Sequence, residues 1–128
     1  MSAESNVESR VVEFTGNREV FLQLLKINPG VFVFKFSAEW CKPCQMIKKH
    51  IDDISLVLPN NETIHIYSVD VDDCFDVYAF LKQKKMVSGI PALLAYKKGN
   101  SFFAPDASVS GTNETDLNNF FNTCLKML

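Results

Sequence analysis

The sequence lacks the features that mark nucleic-acid-binding, membrane and secreted proteins. Its formal net charge of -2 leaves no excess of basic residues to contact a phosphate backbone. Its longest apolar runs, at residues 30–34 and 90–96, are far shorter than the roughly 20 residues of a membrane-spanning helix. The first ten residues are polar and acidic, unlike a secretory signal. We therefore expect a cytoplasmic protein that binds neither nucleic acid nor membrane.

Cysteine is also scarce, with four residues in a chain of 128. This is too few for the disulfide scaffold of a small secreted domain. The length and the 47% hydrophobic content are typical of one domain that folds around its own core. We expect residues 1–10 to form a flexible arm, residues 11–128 to form this domain, and the chain to be a monomer.

The spacing of apolar residues predicts strands that alternate with helices. Residues 31–36 are apolar on both faces except at Lys35, which is typical of a central strand covered on both sides. The predicted strands are 11–14, 31–36, 63–71, 90–96 and 101–110, and the predicted helices are 17–27, 41–54, one that opens at 72–73, and 115–126. The order β-α-β-α-β-α-β-β-α indicates an α/β fold, with a sheet between helices and a hairpin at one edge.

Cys41 and Cys44 lie where the predicted central strand gives way to a helix. A free thiol with a pKa near roughly 8.5 supplies little thiolate at neutral pH, and a helix N-terminus stabilises the anion. Cys41 is therefore predicted to be an exposed nucleophile. Two intervening residues bring Cys44 within disulfide reach, so that it resolves a mixed disulfide. Pro43 suits the first helical turn, where its missing N–H costs nothing.

The cysteine pair has two other interpretations, as half of a zinc site or as ordinary core residues. A tetrahedral zinc site needs two further ligands. The candidates do not form a second paired motif, which disfavours zinc; they are His50, His65, Cys74 and Cys124.

Three segments of the chain resemble the thioredoxin family. Residues 36–44, FSAEWCKPC, resemble its active-site segment. Residues 69–74, VDVDDC, resemble the third strand and following turn of eukaryotic cytosolic members, and residues 89–94, GIPALL, resemble the segment that carries a cis proline. The similarity extends over about residues 11–127 and includes Gly111, which matches a glycine near the family's active site. The resemblance implies the thioredoxin fold, a five-stranded mixed sheet flanked by four helices.

The resemblance also implies a function, protein-disulfide reduction through Cys41 and Cys44. The redox-active group would be the disulfide between them, with no bound cofactor. Substrates would be proteins that carry disulfides, and a thioredoxin-reductase-type flavoenzyme would supply electrons from NADPH. Pro91 is expected to be cis and to keep metals from the thiols, and Ile90 to pair its backbone with an extended substrate. The residues implied in substrate binding are Trp40, Ile90, Pro91 and Gly111.

Two lysines depart from the family pattern. Lys35 stands six residues before Cys41, where the family has a buried Asp that assists proton transfer at the resolving thiol, and Lys42 stands where the family has Gly. Strand alternation places Lys35 opposite Phe34 and Phe36, on the face that the resemblance puts beneath the cysteine pair. A neutral amine there would act as a base, whereas a charged one would favour a thiolate. The candidates for tuning the pKa of the pair are Lys35, Lys42 and Pro43.

These departures keep two rival functions open. Two cations near the pair favour a more oxidising protein, an oxidase or an isomerase, because they stabilise the reduced form once a thiol is ionised. The other rival is a thioredoxin-fold binding or processivity module in which redox turnover is dispensable. The presence of both cysteines counts against the module.

Overall fold

The protein is a five-stranded mixed sheet with two helices on each face. A computed structural model describes residues 9–59 and 63–128. The elements are β1 (Val12–Glu13), α1 (Arg18–Lys26), β2 (Val31–Ser37), α2 (Lys42–Val57), β3 (Ile64–Asp70), α3 (Phe75–Gln83), β4 (Ala92–Lys97), β5 (Ala107–Ser110) and α4 (Glu114–Lys126). The strand order is β1-β3-β2-β4-β5, in which β4 runs antiparallel to β2 and β5 while the other pairs are parallel. The predicted order of elements is confirmed.

β2 is the central strand, as its two apolar faces predict. Its phenylalanines alternate onto the face covered by α1 and α3, where they join Phe21, Leu25 and Val77 in one core. Val31 and Val33 point to the other face, where the second core contains side chains of α2 and α4. That core includes Ile47, Ile51, Leu117, Phe120 and Phe121.

Aromatic rings account for much of the first core. Phe34 is fully buried, and its ring centroid lies 4.8 Å from that of Phe21, 5.8 Å from that of Tyr96 and 5.4 Å from that of Tyr67. Most of these ring pairs meet edge to face, the arrangement that aromatic quadrupoles favour. The many phenylalanines of the sequence therefore build the core and the rigid sheet that carries the cysteine segment.

Two predicted boundaries near the cysteine segment are displaced. The helix predicted to open at residues 72–73 begins at Phe75, because the carboxylate of Asp70 accepts the backbone N–H groups of Asp72 and Asp73 in a turn. The strand predicted from residue 90 begins at Ala92, because Pro91 has no N–H to donate to a sheet.

The fifth strand is shorter than predicted, since residues 101–106 are not part of it. The side chain of Asn100 organises this stretch into a loop: its Nδ2 donates to the backbone oxygen of Ala104 (3.0 Å) and its Oδ1 accepts the N–H of Phe102 (3.0 Å). The hydroxyl of Tyr96 donates to the backbone oxygen of Phe103 at 2.6 Å. Backbone groups that a strand would pair with β4 are thus bound by side chains instead.

Residues 1–8 of the predicted arm lie outside the described residues, whereas residues 9 and 10 are described. Its last two residues contact α2. The Ser9 hydroxyl donates to Asp52 at 2.9 Å, and the Arg10 backbone N–H donates to the hydroxyl of Ser55 at 2.9 Å. The chain is therefore attached to α2 two residues before the predicted start of the domain.

Helix α4 has a side-chain cap that gives a stability prediction. Oδ1 of Asn113 accepts the backbone N–H of Asp116 at 3.0 Å. Asn113→Ala leaves that N–H without its partner, so we expect the free energy of unfolding to fall by about 1 kcal/mol. Urea denaturation of the oxidised protein measures the loss. Asn122→Ala, on the exposed side of the same helix, is the matched control and should leave stability unchanged or slightly higher; equal effects from both changes would contradict the role of the cap.

Candidate active site at the start of helix α2

The two cysteines form a disulfide at the first turn of α2. Their Cα atoms are 5.2 Å apart, and Cys41 is the N-cap residue of the helix. The backbone N–H of Cys44 donates to Sγ of Cys41 at 3.2 Å, and Pro43 lies in the first turn as predicted. The first turn carries no acidic side chain. The helix N-terminus therefore stabilises negative charge on Cys41 when the disulfide is reduced.

Cys41 is not exposed, which corrects the prediction. Only 4% of its surface is accessible, and 3% of that of Cys44. The backbone N–H of Cys41 donates to the backbone oxygen of Ala38 at 3.1 Å in a tight turn, and the residue packs in the same core as Phe36 and Val69. Lys42 and Pro43 are the exposed residues of the segment. The exposed rim around the disulfide is therefore more accessible than Cys41 itself.

Trp40 forms part of this rim. Its side chain is 68% exposed, and its indole N–H donates to the carboxylate of Asp72 at 2.8 Å. Phe75 follows three residues after Asp72 and is 66% exposed. The sequence pattern alone did not identify Phe75 as part of the rim. A signal was available, since the buried residues of that helix are Val77 and Leu81 and Phe75 lies off their face.

The Ile90–Pro91 segment lies at the same end of the sheet as the disulfide. Ala92 of β4 pairs with Phe36 of β2, so the residues just before Ala92 lie beside the chain that leads to Cys41. The Ile90–Pro91 peptide bond is cis, which confirms that prediction. The backbone N–H of Gly111 donates to Pro91 at 3.1 Å. Gly111 has a φ of 92°, a conformation that favours glycine.

Lys35 lies on the α2 face of the sheet, as strand alternation predicted. The residue is only 6% exposed and lines a cavity of about 460 Å³ together with Cys44. Cys41 does not line this cavity. Burial lowers the pKa of Lys35 below its ordinary value, the charge of Asp52 opposes this effect, and Lys48 adds to it. Lys35 therefore shares a cavity with Cys44 and not with Cys41.

The other two thiols have no comparable setting. Cys74 is the N-cap residue of α3, and burial raises the pKa of its thiol. Cys124 is fully buried in the second core, and burial raises the pKa of its thiol to about 12. Neither is prepared to act as a thiolate.

The described residues contain neither a metal-binding cluster nor a membrane-spanning helix. Within residues 9–59 and 63–128, no group of three His, Cys, Asp or Glu side chains is arranged to hold a metal ion. In the same part of the chain, every helix is too short or too polar to cross a bilayer.

A disulfide between the N-cap and the first turn of a helix, at the end of a central strand, defines a thiol–disulfide oxidoreductase. Comparison with known proteins gives the family. The thioredoxin family model matches residues 11–123. Thioredoxin of Mus musculus is 33% identical over 108 residues, which are 84% of this chain and 92% of the mouse protein. Thioredoxin-1 of Saccharomyces cerevisiae is 38% identical over 81 residues, 63% of this chain and 68% of the yeast protein.

A solved structure agrees with the fold. The thioredoxin of Trichomonas vaginalis superposes with a TM-score of 0.72 at 27% identity, covering 94% of this chain and 99% of that one. The chain belongs to the thioredoxin family. The predicted fold class is thereby confirmed.

Proposed function

We propose that this protein is a protein-disulfide reductase. The observation that carries the proposal is the Cys41–Cys44 disulfide at the helix N-terminus, in a chain of the thioredoxin family. The reduced protein begins the cycle. The Cys41 thiolate attacks one sulfur of a substrate disulfide, forms a mixed disulfide and releases the other sulfur as a thiolate. Cys44 then loses its proton and attacks Sγ of Cys41, which re-forms the Cys41–Cys44 disulfide and releases the reduced substrate.

The surface around the disulfide supports a role in holding substrate. In this proposal an extended substrate segment lies against Ile90, Pro91 and Gly111 and contacts Trp40. Ile90 is half-buried and Gly111 is exposed. Ile90 precedes the first residue of β4 and Gly111 follows the last residue of β5, so both lie outside the regular strand pairing. Pairing through backbone groups accepts many side chains, which suits an enzyme that reduces diverse proteins.

The oxidised protein needs an external electron source. We propose that a thioredoxin-reductase-type flavoenzyme reduces it with NADPH, and that the protein itself binds no cofactor and acts as a cytoplasmic monomer. The members named thioredoxin that it resembles support this assignment.

A more oxidising activity is the second candidate, because Lys35 is buried and lines the same cavity as Cys44. A cation there stabilises a thiolate and therefore the reduced pair. Such a protein passes its disulfide to substrates more readily, as an oxidase or isomerase does. Lys42 and Pro43 are exposed, so water screens any contribution of Lys42.

Insulin reduction tests the proposed function. With dithiothreitol as electron donor, we expect the protein to accelerate precipitation of the freed insulin chains in proportion to its concentration. With NADPH and a thioredoxin-reductase-type flavoenzyme, we expect NADPH oxidation that requires both insulin and the protein. A rate equal to the background in both assays would contradict reductase activity and favour a binding module. Rapid oxidation of a reduced peptide dithiol with little insulin reduction would favour the oxidising candidate.

A further inference from the structure

The cavity beside Cys44 holds more charged groups than the family resemblance explains. Lys35 enters it from β2 and Asp52 from α2. Other charged residues line it from the remaining elements: Glu13 of β1, Glu39 before α2, Lys48 of α2, Asp70 at the end of β3 and Asp73 before α3. β4 adds no titratable group on this face, where its residues are Leu93 and Ala95. Cys44 therefore borders a solvent-accessible cavity of mixed charge.

Asp52 is held in this cavity by two side-chain hydrogen bonds. Its Oδ1 accepts the hydroxyl of Ser9 at 2.9 Å, and its Oδ2 accepts Nζ of Lys48 at 2.9 Å. Only 16% of its side chain is exposed. Its neighbour Asp53 makes the same kind of pair with Lys49 at 3.0 Å, but 59% of the Asp53 side chain is exposed and it does not line the cavity. The two ion pairs differ mainly in environment: Lys48 and Asp52 line the cavity, whereas Lys49 and Asp53 are exposed to solvent.

Lys35 is sensitive to charge in the cavity, because it is buried and lines the cavity together with charged side chains. Burial and the nearby charge of Lys48 both disfavour the protonated amine. Among the carboxylates around it, Asp52 is the one whose charge offsets these two effects.

We propose that Asp52 is a positioning residue of the active site, whose carboxylate keeps Lys35 protonated beside Cys44 and so assists ionisation of the resolving thiol. The proposal rests on the assigned roles of Cys41 and Cys44. In the resolving step the Cys44 proton passes to solvent, the Cys44 thiolate attacks Sγ of Cys41, and the substrate sulfur leaves as a thiolate. The charge of Lys35 favours the attacking thiolate. The charge of Asp52 by itself disfavours it, so Asp52 helps only through Lys35.

The first test measures Lys35 directly. NMR titration of the Lys35 Cε resonance in the reduced protein is expected to give a lower pKa for this amine in Asp52→Asn than in the wild type. Asp53→Asn is the matched control, because it removes an equal charge from an exposed pair one residue away, and it should leave the titration of Lys35 unchanged. An unchanged titration in Asp52→Asn, or equal changes in both variants, would overturn the proposal.

The second test measures the resolving step. The reduced protein reacts with an aromatic disulfide reagent, and stopped-flow absorbance follows two released thiolates, the first from attack by Cys41 and the second from attack by Cys44. Asp52→Asn is expected to slow the second release at pH 7 severalfold, toward the factor of about ten that one pKa unit represents. The first release should keep its rate, and Asp53→Asn should resemble the wild type in both phases.

A second background separates this role from a merely structural one. In Lys35→Met, where the carboxylate can only repel the Cys44 thiolate, the further change Asp52→Asn should accelerate the second release. Slowing in both backgrounds would show that Asp52 acts on structure and would overturn the proposal. Its failure is distinguishable from failure of the proposed function, because a wild-type protein in which Cys44 does not resolve would show no second release at all.

Discussion

Cys41→Ser is expected to reduce disulfide-reductase turnover to background, whereas Cys44→Ser is expected to accumulate mixed disulfides with its substrates. The two results differ because only Cys44→Ser retains the thiol at the helix N-terminus that attacks a substrate disulfide. Without Cys44, nothing within the active site attacks the mixed disulfide, and the substrate stays attached until an external thiol releases it. The burial of Cys41 favours this outcome, because an external thiol has little access to Sγ of Cys41.

Non-reducing gels of captured complexes, followed by mass spectrometry of the linked peptides, measure this difference. The double variant Cys41→Ser with Cys44→Ser sets the background. Cys74→Ser is the matched control, since it removes a buried thiol whose pKa burial raises, and it should keep full turnover and capture nothing. If Cys44→Ser captured no more protein than the double variant, the assignment of attacking and resolving roles would be wrong.

The sequence predicts the strand and the helix that carry the cysteine segment, because both depend on local patterns. The apolar run at residues 31–36 predicts a strand covered on both faces, and β2 lies between β3 and β4 with a core on each side. Apolar spacing after Cys41 predicts the helix that the cysteine caps. Alternation along β2 places Lys35 on the face opposite Phe34, where the structure has it. Each of these features can be predicted from residues that are close in the sequence, within one helical turn or one strand.

The charge environment of the site was not predictable in the same way. Asp52 lies seventeen positions after Lys35, and only the packing of α2 on the sheet brings both to one cavity. In the sequence, Lys48 and Asp52 have the spacing of an ordinary exposed ion pair, identical to that of Lys49 and Asp53. The burial of Cys41 also depends on tertiary structure, because the residue packs in a core that includes residues of distant strands and helices. Local patterns carry no information about which face of a helix will border a polar cavity.

Lys35→Asp is expected to make the protein a stronger reductant. The substitution replaces a cation beside Cys44 with the carboxylate that the family resemblance places there, so the thiolate form loses stabilisation and the reduced pair becomes less favoured. Where a thiol of the reduced pair is ionised, each unit by which its pKa rises should make the reduction potential more negative by about 30 mV. That shift is a tenfold change in the equilibrium with glutathione. Equilibration with glutathione buffers measures the potential, and thiolate absorbance measures the titration of the pair.

Lys35→Met separates loss of the cation from introduction of an anion, and Lys42→Met is its matched control. Both remove one positive charge, but Lys42 is exposed, so its effect should be smaller and should vanish at high salt. The pH dependence has a defined sign. Burial lowers the pKa of Lys35, and the ammonium acts on the pair only while it is protonated. The difference in potential between wild type and Lys35→Met should therefore be full below the pKa of Lys35 and disappear as the pH rises through it, before the ordinary lysine value of 10.5 is reached. An unchanged potential in Lys35→Asp, with Lys35→Met equal to Lys42→Met at every pH, would show that the charge of Lys35 has no influence on the cysteine pair. A less negative potential in Lys35→Asp would show an influence of the opposite sign and would equally contradict the prediction.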